Sequence, residues 1–228
     1  HLGTPRSYRF RPAINRRWAA VKRQMADTDA AFLLHGGDLT RDGEIHEEEY
    51  ALARADLDTL PFPTFIVPGN MDVGNKHTSR RGTKRPWDDR MLNMRAERLD
   101  LFSSWFGPIH WTFLFRGVRF TGFYAGAAGT GFPHEGRLWS LLESLPRLPA
   151  ARHHVAVMHY WPFMESPDEP AWDITDPGQY DNWYFSIDPP HRNRLLDLLA
   201  AAKTDILFCG HVHTGRPPQD LGGMKIIR

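Results

Sequence analysis

"TFIVPGNMDVGN", residues 64–75, is an apolar run that stops at Pro68-Gly69 and sets Asn70 at the turn. Aromatic and β-branched residues followed by Pro-Gly read as a short buried strand and a tight turn. The pattern recurs along the chain. "AAFLLHGGD" (30–38) ends in Asp38, "HVAVMHY" (154–160) carries His159, and "DILFCGHVH" (205–213) ends in His211 and His213. Between these runs, apolar spacing predicts helices over 12–29, 45–60, 89–106, 135–145 and 191–202. Ile14, Trp18, Val21 and Met25 mark the apolar face of the first, and Tyr50, Leu57 and Leu60 that of the second. "HWTFLFRGVRFTGFYA" (110–125) reads as a hairpin turning at Arg116-Gly117. Strands alternating with helices predict an α/β architecture with a largely parallel sheet.

The 228 residues are enough for one large domain, 1–228. Net charge is +1 with 24% charged residues, so no global charge points to nucleic acid or a membrane surface. No run approaches the roughly 18 apolar residues of a membrane span. Cys209 is the single cysteine, which excludes an internal disulfide and favours a reducing, cytoplasmic setting. The start, "HLGTPRSYRF", has no Met, which leaves a removed signal peptide and secretion open. The last residues, "MKIIR", read as a strand just beginning.

Two segments are biased in charge. Between Lys76 and Arg98, eight basic residues face three acidic ones, a candidate for drawing in anions or simply a solvated loop. From His153 to His191 there is no Lys or Arg, while Glu165, Asp168, Glu169, Asp173, Asp176, Asp181 and Asp188 alternate with Trp and Tyr. So long a connection reads as a lid or binding loop, or as a surface excursion.

Asp38, Asn70, His159, His211 and His213 all follow apolar strands. In parallel α/β sheets, functional groups gather beyond the carboxyl ends of strands. Each residue alone has an ordinary explanation, in turn chemistry or as a satisfied core histidine. Their recurrence points to a shared site. Imidazoles, a carboxylate and a carboxamide suit Mn, Fe, Zn or Ni, and one cysteine excludes a thiolate site. In an extended segment, residues two apart share a face, so His211 and His213 can serve neighbouring ions.

"GGDLTRDG", "PGNMD", "MHY" and "CGHVH" resemble, in order and separation, the GD, GNH-D/E, H and GHxH blocks of the calcineurin-like metallophosphoesterases. The resemblance spans essentially the whole chain. "HLG" resembles the tail of the family's Asp-x-His block, which implies that its Asp lies two positions before His1. It implies two metal ions, one held by His1, Asp38 and His213, the other by Asp38, Asn70, His159 and His211, with Asp38 bridging. Asn70 would also contact substrate. The implied fold is a four-layer α-β-β-α sandwich of two mixed sheets flanked by helices, lacking its N-terminal strand here. The implied activity is hydrolysis of phosphate monoesters or diesters, of a small molecule or a protein, by a metal-bridging hydroxide. The alternative is a metal-binding scaffold with impaired catalysis. "GNMDVGN" and the acidic aromatic segment further resemble a branch with GNHDVGN-like sequence, some members of which are described as protein phosphatases. Purple acid phosphatases carry a metal-bound Tyr three positions after the bridging Asp. Arg41 stands there, which argues against that class. Ser/Thr phosphatase catalytic subunits carry GDxxDRG and GNHE, which this chain lacks.

The His of GNH in the family usually assists the leaving group, and Met71 occupies that position. A thioether donates no proton. Asp72, His77 and His134 are the chemically suitable substitutes. A substrate with an easy leaving group would need none of them.

Overall fold

Helices and strands alternate along much of the chain as the spacing predicts, the helices expected over 12–29, 45–60 and 89–106 being shorter than expected. The computed structural model describes residues 1–7, 10–76 and 93–228. The order is α1 (Pro12–Ala26), β1 (Leu33–His35), α2 (Glu48–Leu57), β2 (Thr64–Ile66), α3 (Asn70–Val73), α4 (Ala96–Phe106), β3 (His110–Phe115), β4 (Val118–Phe123), α5 (Pro133–Ser144), β5 (His153–Met158), α6 (Tyr180–Phe185), α7 (Pro189–Ala201), β6 (Ile206–Cys209), β7 (Gln219–Leu221) and β8 (Met224–Ile227). α4 opens at Ala96, and the earlier part of the 89–106 expectation lies largely outside the described residues. α6 and β7 have no counterpart in the periodicity, because both are short.

Two sheets form. β1 and β2 pair in parallel. The larger sheet is mixed, in the order β3-β4-β5-β6-β8-β7. β4, β5, β6 and β8 run parallel at its centre, and β3 and β7 close its edges antiparallel. The β3–β4 hairpin turns at Arg116 (φ 49°) and Gly117 (φ 82°), two left-handed residues as a type I′ turn requires.

Phe32 joins the sheets. Its ring meets Phe65 of β2, Phe113 and Phe115 of β3 and Phe120 of β4 edge-on, at 5.0–5.8 Å between centroids. Trp111 Nε1 adds a hydrogen bond to the Ile66 carbonyl at 3.0 Å. One apolar cluster runs from Leu2 through Tyr50, Leu99, Phe123, Leu138 and Met158 to Ile226. α1 only covers its margin. Trp18 and Met25 pack against the cluster, whereas Val21, placed on the apolar face by its spacing, is 46% exposed. Among the described residues, no helix is long and apolar enough to cross a membrane.

These choices fix where the loops meet. β1, β2, β5 and β6 stop one to four residues short of Asp38, Asn70, His159 and His211. A Cβ on Gly37 (φ +96°) would come within 2.6 Å of His159 Nδ1, and one on Gly69 would overlap Asp38. The two glycines therefore let the β1 and β2 loops close on each other and on His159.

Candidate metal centre

The β1 loop presents Asp38 in the left-handed region, at φ 58°. Such a conformation is uncommon outside glycine and persists where surroundings impose it. Here they do. The Met71 backbone N–H donates to Asp38 Oδ1 at 2.9 Å, which fixes the carboxylate. His211, φ 70°, is held similarly off the helix and strand regions. Asn70 takes neither a left-handed conformation nor a turn role. It is the first residue of α3 and is buried.

Around Asp38 two sets of donors converge. His1, Asp38 and His213 form one, and Asp38, His159 and His211 the other, each with ligand atoms within 4.8 Å of one another. Asp38 Oδ2 faces His1 Nε2 at 3.7 Å, and Oδ1 faces His159 Nε2 at 3.3 Å. The carboxylate thus divides its oxygens between the sets. Asn70 joins the second set, its Oδ1 3.2 Å from His159 Nε2. His1 and His213 stand 5.4 Å apart between ring centroids, and His213 is exposed at the rim.

The protons of the second set can be assigned. A carbonyl only accepts, so His159 Nδ1 donates to Gly36 O at 2.8 Å. His211 Nε2 likewise donates to Tyr184 O at 3.3 Å. Burial, then the neighbouring His159, pulls His211 down to about 3, so it stays neutral. His159 Nε2 and His211 Nδ1 then face each other at 3.1 Å. With Asn70 Oδ1 and Asp38 Oδ1 beside them, this is a cluster of nitrogen and oxygen ligand atoms. A cation fits that donor set, and carbonyl-oriented imidazoles are how histidine ligands are held.

Asp72 has a different task from the one its chemistry suggested. Oδ1 accepts from the Thr40 N–H and hydroxyl, both at 2.8 Å. Oδ2 accepts from Gly69 N at 2.8 Å and Leu39 N at 3.2 Å. It clasps the β1 loop to the start of α3. Burial, and next the charge of Asp38, push its carboxyl up to about 6. His134 packs in the first turn of α5, with Nε2 2.9 Å from Asp100 Oδ1 of α4. It is held there, not among the ligands. His77 lies outside the described residues, as does most of the basic run.

One described member of that run, at its start, points inward. Lys76 is buried, its Nζ donating to the carbonyls of Trp183 (3.0 Å) and Ser186 (2.9 Å) and pairing with Asp188 at 3.2 Å. Two further acids of the acidic segment are paired with arginines outside it. Arg192 pairs with buried Glu169 at 3.3 Å, and Arg216 with Glu165 at 2.9 Å. Breaking a buried pair such as Arg192–Glu169 costs about 3–5 kcal/mol. The segment is therefore pinned structure around α6. From it Tyr184, a residue that spacing does not single out, reaches both Asn70 and His211. Its one sequence signal is membership of an aromatic-rich stretch directly after a candidate ligand.

A sequence profile described as calcineurin-like phosphoesterase matches residues 11–215. The human serine/threonine-protein phosphatase CPPED1 is 28% identical over 155 residues, which is 66% of this chain and 41% of that protein. The Pongo abelii protein of the same name matches with the same identity and coverage. The chain thus spans 41% of the length of the curated relatives it matches. Among solved structures, purple acid phosphatase PPD1 from yellow lupin (Lupinus luteus) seeds aligns with a TM-score of 0.54 at 14% identity, over 84% of this chain and 32% of that one. GAP50, the anchor in the inner membrane complex of Plasmodium, aligns at 0.50 and 15% identity, over 92% and 64%. These two likenesses concern the fold.

Proposed function

This chain belongs to the calcineurin-like phosphoesterase family, and from that membership we propose that it hydrolyses phosphate esters at a pair of metal ions. The observation that carries the proposal is the sharing of Asp38 between two donor sets. His1, Asp38 and His213 would hold one ion, and Asp38, Asn70, His159 and His211 the other. Mn, Fe, Zn or Ni suits these ligands. When bound, such a pair supplies an activated water and positive charge for the phosphoryl oxygens.

The chain's own residues do the rest. Gly36 O and Tyr184 O orient the two buried imidazoles, each taking one ring N–H and leaving the other ring nitrogen aimed inward. The Met71 N–H holds the shared carboxylate. His213, exposed at the rim, marks the side from which a phosphorylated small molecule or protein approaches. Asn70 is the residue best placed to touch both ion and substrate. No proton donor replaces the family histidine at Met71 among the described candidates, since Asp72 and His134 are committed elsewhere. The favoured substrates are therefore esters whose leaving groups depart without protonation. Residues 1–228 are read as a single catalytic domain.

Met71 is also what favours the second reading, a metal-binding scaffold. A panel of phosphomonoesters and diesters, assayed after metal reconstitution with Asp38→Ala as control, separates the two. Turnover that disappears in Asp38→Ala is the expected result. Bound metal without turnover of any ester would overturn hydrolysis and leave the scaffold.

A further inference from the structure

Tyr184 contacts the second donor set through two different atoms. Its carbonyl accepts from His211 Nε2 at 3.3 Å. Its hydroxyl lies 2.8 Å from Asn70 Nδ2 and 2.9 Å from Asn75 Oδ1. An amide nitrogen only donates and an amide oxygen only accepts. The hydroxyl therefore accepts from Asn70 and gives its proton to Asn75. This relay is consistent with the oxygen end of the Asn70 amide facing inward. Nδ2 is spent on Tyr184, and Oδ1 is left beside His159.

α6 is itself held at the same place. The Lys76 ammonium closes the end of α6, bonding the Trp183 and Ser186 carbonyls and lying 4.7 Å from the Trp183 ring centroid. A cation suits the carbonyl end of a helix. The Tyr184 ring stands 5.1 Å from that of His211. Asn70, Asn75 and Lys76 belong to one short stretch, so it grips α6 at the hydroxyl of Tyr184 and at the helix end.

We propose that Tyr184 is a positioning residue for the second ion: its hydroxyl sets the orientation of Asn70, its carbonyl sets the tautomer of His211, and α6 docking thereby governs ion affinity at that set alone. This rests on the reading of the cluster as a metal centre. It gives the acidic aromatic segment a role in assembling the site.

Tyr184→Phe removes the hydroxyl and keeps ring and carbonyl. Mn²⁺ titration of the metal-free protein, followed by the loss of free-Mn²⁺ electron paramagnetic resonance signal, reads the two affinities. His213→Ala identifies the step belonging to the first set. The expected result is a weakening of about 10–100-fold in the other step of Tyr184→Phe, the range for ligand-orienting partners. The first step stays unchanged. Identical affinities in variant and wild type would overturn the proposal, as would equal weakening of both steps. Wild-type protein that takes up no Mn²⁺ would instead overturn the metal-centre reading, and this inference with it.

Discussion

The Met71 main chain, through its N–H, holds Asp38 Oδ1 at 2.9 Å. That contact survives any side-chain replacement that keeps α3. The Met71 side chain is half-buried, with Sδ 3.5 Å from Asn70 Nδ2. Position 71 thus combines a fixed backbone with a replaceable side chain.

Met71→His consequently tests chemistry with the fold retained. It should accelerate hydrolysis of alkyl phosphates about 10²-fold, the lower end of what general acids contribute. Nitrophenyl esters, whose leaving groups need no proton, should change little. Steady-state rates for both substrates at saturating metal decide it, and equal changes would remove the leaving-group explanation.

The Asp72 clasp makes a stability prediction. Asp72→Ala strands the N–H groups of Leu39, Thr40 and Gly69 in a buried site. Unsatisfied buried donors cost about 1–3 kcal/mol each, partly relieved by relaxation. The variant should lose about 2–4 kcal/mol in urea unfolding. A loss below the scatter of surface substitutions would show that the clasp is dispensable.

Acid should weaken the fold through His110. Its Nδ1 accepts from Tyr124 N at 3.2 Å and its Nε2 bonds His134 O at 3.1 Å. Burial holds it down to about 4, against 6.5 when unfolded. Between those values the unfolded chain binds more protons, so stability falls as pH drops from about 6.5 to 4. His110→Gln should flatten the fall by about 1–3 kcal/mol. Melting temperatures at several pH values measure it, and parallel curves for the two proteins would exclude His110 as a contributor.

Much of this molecule is legible in one dimension. The runs ending in Gly37-Asp38, Gly69-Asn70, His159 and Gly210-His211 mark strand ends, because burial demands apolar residues and sharp turns demand glycine. The hairpin at Arg116-Gly117 is legible for the same reason. Val21 is not, because periodicity gives a helix a face without saying how much of it is covered. Asp72 and His134 had chemistry that fits a proton donor. Their actual duties depend on Thr40 and Asp100, which only folding brings alongside.

The amino-acid order by itself determined the α/β class, the loops that carry donors and the kinds of donor atom. Tertiary structure alone decided which atom of each donor faces inward. The carbonyl that orients His159 lies 123 residues away, and the hydroxyl that orients Asn70 lies 114 away. A tautomer or an amide orientation is set by the partner across a hydrogen bond. At such separations that partner leaves no periodicity in the sequence, only a position in space.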